Sequence, residues 1–109
     1  MAFSLFYRRL FERKKTLYHK RLKRELQKLF TSMNSSLREQ FMRDLVYAIL
    51  QHHPTDDLHH YLSDCTTDNF LPILCHLMNY GMLDSVCLYS CTEHVLRRGI
   101  YPTQTGRLL

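Results

Sequence analysis

Residues 68–102 read DNFLPILCHLMNYGMLDSVCLYSCTEHVLRRGIYP and carry two of the chain's three Gly and two of its three Pro. That punctuation falls where helix ends need it. Asp68 is expected to cap a helix that bears Phe70, Ile73, Leu74, Leu77 and Met78 on one side. Pro72 lies in its first turn, where a missing amide costs little, and Gly81 is placed to end it as a C′ residue. A second helix is expected from about Met82 to Arg98, with Leu83, Val86, Cys87, Ser90, Val95 and Leu96 available for packing. Arg97 and Arg98 suit the negative end of its dipole, Gly99 stops it and Pro102 prevents resumption. A β element over 85–91 is the competing reading, but the flanking caps fit one long helix better.

Upstream the same logic gives two more helices. Ser36-Leu37-Arg38-Glu39 has the pattern of a capping box, opening a helix with Leu37, Phe41, Leu45, Ala48 and Ile49 on one face. It should stop near His52 and His53, because Pro54 disfavours helix in the residue before it. Thr55 followed by Asp56 and Asp57 suits a new start, with Leu58, Tyr61, Leu62 and Cys65 as apolar positions. With 45% apolar and 23% charged residues in 109, wholesale disorder is excluded and a modest single core is affordable. Three Gly and three Pro are too few for a sandwich of tight β turns. The expected fold is all-α: a long basic N-terminal helix over 1–33, then two antiparallel helical hairpins of solenoid-repeat type over 34–109.

The hairpin at 69–105 resembles one two-helix repeat of the FAST-kinase-type, heptatricopeptide and octotricopeptide organellar RNA-binding proteins, and more distantly a pentatricopeptide repeat. Its first helix ends in Asn79-Tyr80-Gly81 and its second in Leu96-Arg97-Arg98-Gly99, with Pro102 following, as at those repeats' turns. Residues 37–65 then read as a degenerate preceding hairpin that lacks the glycine turn. The resemblance covers about a third of the chain and carries over no base-reading residue. It implies an organellar setting and contact with RNA or ribonucleoprotein. Because solenoids normally need about three repeats to stand alone, it also implies packing on neighbouring proteins.

Charge is distributed unevenly along the chain. Residues 1–30 hold ten of the fifteen Lys and Arg against Glu12 and Glu25, a balance of +8, whereas residues 31–109 balance at −3. Apolar residues recur at Phe3, Phe6, Tyr7, Leu10, Phe11, Leu17, Tyr18, Leu22, Leu26, Leu29, Phe30 and Met33, steps of three and four that trace one helical stripe. The other faces carry Arg8, Arg9, Arg13, Lys14, Lys15, Lys20, Arg21, Lys23, Arg24 and Lys28. Like charges so dense call for an anionic surface. Nucleic-acid phosphate is the first candidate and these ten residues its expected contacts, with Tyr7 and Tyr18 as stacking partners or, from their place on the stripe, as packing residues. An anionic membrane surface competes, since a basic amphipathic helix also reads as interfacial. The acid-free first eleven residues also fit an organelle import signal.

Metal and catalytic readings are weaker. His52, His53, His59 and His60 cluster about Pro54 as helix-end polar groups, or as a pH-sensitive or phosphate-contacting surface. Cys87, Cys91 and His94 share one helical face but span about 10 Å as a set, too far for one zinc. Cys91 and His94 could supply two ligands with Cys75 or Cys65 across a hairpin; packing thiols in a reducing compartment are the better reading, and no metal or cofactor is expected. No phosphate loop, dinucleotide fingerprint, zinc-protease or nucleophile-elbow motif occurs, and Asp56–Asp57 and Asp64–Asp68 sit where helix N-termini attract acids anyway. No enzyme and no small-molecule substrate are expected. The longest stretch free of charged residues, 69–83, is too short and too polar to span a bilayer. The expectation is a small ribonucleoprotein subunit, a mitochondrial-type ribosome first, touching rRNA through the basic helix and protein through the hairpins. An accessory subunit of a membrane-bound complex, or a stand-alone interaction module such as a pathogen accessory factor, are the alternatives.

Overall fold

The computed structural model describes residues 18–98 and 100–101, and these contain helices and no strand. Five helices follow one another: α1 over 18–32, α2 Ser35–His52, α3 Asp56–Ser63, α4 Phe70–Asn79 and α5 Ser85–Leu96. The first half of the expected basic helix, with Arg8, Arg9, Arg13, Lys14 and Lys15, lies outside the described residues, as do Gly99 and Pro102.

From residue 18 onward the apolar stripe of α1 faces inward: Leu22, Leu26, Phe30 and Met33 are buried in one core with Phe41, Leu45, Ile49, Leu58, Phe70, Leu74 and Leu88. The described part of the basic helix is therefore built into the body. Its last turn is closed by side chains. Thr31 Oγ1 donates to the Gln27 carbonyl at 2.7 Å, Ser32 Oγ to Leu29 at 2.6 Å and Arg38 Nε to Phe30 at 2.8 Å, the last sharing a carbonyl that also accepts from the Met33 amide. The Arg38 bond reaches across the corner and pins α2 to α1.

That corner changes the expected start of α2. Asn34, not Ser36, is the N-cap, its Oδ1 accepting from the Leu37 amide at 2.9 Å. Glu39 pairs instead with Arg43 at 2.7 Å. Asn caps as well as Ser, and a turn this tight brings the earlier residue into place. The stop at His52 and the Thr55 cap, accepting from Leu58 N at 3.2 Å, match expectation.

Asp68 does not cap α4. Asn69 takes the N-cap position, and its Oδ1 turns back to accept from Thr66 N at 2.7 Å, closing the α3–α4 turn. At the far end Gly81 adopts φ +73°, with its amide bonded to Met78 O at 3.2 Å and that of Met82 to Leu77 O at 2.9 Å. This is a Schellman arrangement, which spends Met82 on ending α4 and so keeps it out of α5. Consequently α5 begins at Ser85 rather than Met82 and ends at Leu96. Its inward face is Leu88, Cys91, Thr92, Val95 and Leu96, while Val86 and Ser90, expected to pack, are exposed.

Helix α5 packs against α2, the last helix against the first of the expected hairpins. Tyr101 fastens the chain beyond α5: its ring stands edge-on to Phe41 at 5.3 Å and its hydroxyl donates to Asp44 Oδ2. Desolvation, then the Asp44 carboxylate, raises the Tyr101 phenol's pKa, so the hydroxyl stays a donor.

Candidate nucleic-acid interface

Because one side of α1 is spent on the core, its cations can only face outward. Lys20, Arg21, Lys23, Arg24 and Lys28 are all exposed. Lys28 reaches Glu25 at 3.7 Å with its side chain 69% exposed, a long and hydrated pair that contributes little and competes little. No described carboxylate lies within ion-pair distance of Lys20, Arg21, Lys23 or Arg24. Arg24, Gln27, Lys28, Thr31 and Ser32 line a shallow open depression on this outer side, bringing two cations, an amide and two hydroxyls together.

The opposite end of the charge distribution is equally marked. Residues 44–96 contain seven acids and no Lys or Arg. The positive charge of the described residues is thus concentrated on α1, with Arg38, Arg43, Arg97 and Arg98 as the remaining cations. Lys23 sits close enough to Cys75 of α4 for its charge to act on that thiol against the dominant effect of burial.

Tyr18 is a packing residue. Half-buried, it meets Tyr89 edge-on at 6.2 Å, and its phenol is pushed up by burial and by Tyr89 and Asp84 nearby. Tyr7 lies outside the described residues. An aromatic row that the sequence reading missed sits elsewhere: His60, Tyr61, His76 and Tyr80 follow one another at 5.8, 5.7 and 4.5 Å across α3 and α4. Only the His76–Tyr80 spacing of four signalled it, and its neighbours Asp56, Asp57 and Asp64 make it unsuited to phosphate.

A groove of about 710 Å³ lies between α2 and the end of α3, with Met42, Val46, Leu50, Leu62 and Cys65 as its apolar lining and Tyr47 at its rim. Of the histidine and cysteine sets, His52, His53, His59 and His60 are exposed about the Pro54 turn. Cys87 and Cys91 bring their sulfurs to 4.0 Å, while His94 is exposed. Among the described residues no three His, Cys, Asp or Glu side chains are placed to hold one metal ion, so neither Cys75 nor Cys65 completes the Cys91–His94 pair. No described helix is long and apolar enough to cross a membrane.

No family model matches the chain, and neither a curated protein nor a solved structure resembles it significantly.

Proposed function

We propose that the protein is a non-catalytic subunit of a ribonucleoprotein, a mitochondrial-type ribosome first, binding RNA phosphate through the outward face of α1. The observation that carries this reading is a helix anchored by Leu22, Leu26, Phe30 and Met33 while Lys20, Arg21, Lys23, Arg24 and Lys28 stay exposed. Cations held on a fixed rod lose less freedom on meeting phosphate than cations on a loose tail, and the released counterions supply the driving force. Arg8, Arg9, Arg13, Lys14 and Lys15 extend the same charge along the sequence toward the N-terminus. Neighbouring protein would occupy the Met42–Val46–Leu50 groove, and the repeat-like hairpins would stack on it. Import through the N-terminal residues fits the same setting.

The lipid alternative draws less support. An interfacial helix binds by inserting its apolar face, and from residue 18 onward that face is occupied by the protein's own core. Two assays in parallel test the choice: gel-shift binding to a structured RNA, and flotation with vesicles of neutral lipid with or without anionic lipid. RNA binding without vesicle flotation is the expected result. Flotation dependent on anionic lipid, with no RNA shift, overturns the proposal.

A further inference from the structure

Cys87 and Cys91 lie one turn apart on α5 with their sulfurs 4.0 Å apart in an S–H···S contact. That is about twice the ~2.05 Å of a disulfide, and a single helical turn does not readily close the difference. It is, however, a distance that one ion spans. Two metal–sulfur bonds of about 2.3 Å put the sulfurs about 4.6 Å apart in a straight line and about 3.8 Å apart at a tetrahedral angle. The observed separation falls between those limits, about 0.6 Å short of the straight arrangement that a two-coordinate ion takes.

The surroundings decide which ion. Cys91 is fully buried, between Leu88 and Val95 of the core face, so little water reaches its sulfur. Cys87 is half-buried and gives the pair its opening to solvent. Zinc asks for four ligands, and no third His, Cys, Asp or Glu among the described residues is placed to join these two. An ion content with two soft sulfurs is monovalent copper, which thiolates select over harder, higher-coordinate ions.

We propose that Cys87 and Cys91 form a two-thiolate site for monovalent copper. On binding, each S–H gives its proton to solvent, two copper–sulfur bonds form, and neither copper nor sulfur changes oxidation state. Burial raises both thiols, that of Cys91 to about 12, so the empty pair is protonated at neutral pH and copper has to displace both protons. Cys65 and Cys75, on other elements, take no part.

The test uses the full chain without oxygen, loaded with one equivalent of monovalent copper and challenged with bicinchoninate as a competing chelator. The wild type, Cys65→Ser and Cys75→Ser should each retain one copper per chain with a thiolate-to-copper absorption in the ultraviolet. Cys87→Ser and Cys91→Ala should bind at least tenfold more weakly. Circular dichroism of both variants establishes that they fold, and the half-buried Cys87 position keeps the test independent of core damage at Cys91. Copper surrendered completely by the wild type, retained undiminished by folded Cys87→Ser, or dependent on Cys65 or Cys75 overturns the assignment.

Discussion

Leu26→Ala tests whether α1 is held by the core or merely attached to it. Leu26 is 1% exposed, one turn from Leu22 and one from Phe30, whose ring packs 6.3 Å from Phe41 and 6.0 Å from Phe70. Truncating a leucine so placed removes its transfer free energy and leaves a cavity, together about 2–5 kcal/mol. Domains of this kind are stable by only about 5–15 kcal/mol in total, so that is a large fraction. With a urea dependence of about 1–3 kcal/mol per molar, a loss of 3 kcal/mol moves the midpoint down by about 1–3 M. Urea unfolding followed by circular dichroism reads this directly, with Lys23→Ala as a surface control expected to stay within about 0.5 kcal/mol. If Leu26→Ala shifts the midpoint no more than the control does, α1 is not part of the cooperative core and its basic face is not rigidly presented.

Other expectations follow from single contacts. Asn34→Ala should cost about 1 kcal/mol by removing the α2 cap, whereas Ser36→Ala should be close to neutral; equal effects in urea unfolding would restore Ser36 as the cap. Gly81→Ala meets no atom within 4 Å of the new methyl group but must hold φ at +73°. It should therefore lower stability by about 1 kcal/mol through backbone strain alone, and no loss on thermal melting would contradict the Schellman assignment. Tyr101→Phe keeps the ring on Phe41 and loses the donor to Asp44, an expected cost of about 1.5–3 kcal/mol for a bond to a charged group, measured in the same way. Burial raises the Cys91 thiol from 9.0 to about 12, so below pH 9 both folded and unfolded chains hold the proton and stability is unaffected. Between about 9 and 12 the unfolded chain releases it first, and stability should fall with pH more steeply in the wild type than in Cys91→Ala.

How far the fold could be read in advance depended on which signals were local. The α1 stripe was legible because Leu22, Leu26, Phe30 and Met33 repeat with helical spacing and nothing interrupts them. Thr55 and Gly81 were legible because each has one job that few residues do well. The misplaced starts of α2, α4 and α5 share a cause. Asn34, Asn69 and Met82 are committed by the corner or turn that precedes each helix, and that geometry is tertiary. On α5 the delayed start went with a different inward face, which brought Leu88 and Thr92 into the core; Thr92 is tolerated there because its hydroxyl donates to Leu88 O at 2.7 Å. Of the candidate site, the identity of the cations was plain from charge, but that their helix is anchored by the core appears only in the packing. The Tyr61–His76 contact joins residues fifteen apart and left no local trace.

The most direct test of the basic face is the salt dependence of RNA affinity for the wild type and for Lys20→Gln/Arg21→Gln/Lys23→Gln/Arg24→Gln. Each phosphate contact on single-stranded RNA contributes about −0.7 to the slope of log K against log salt. Four engaged cations therefore predict a slope shallower by about 3 in the variant, with far-ultraviolet circular dichroism unchanged. An affinity indifferent to salt, or a variant whose slope equals that of the wild type, would contradict the account.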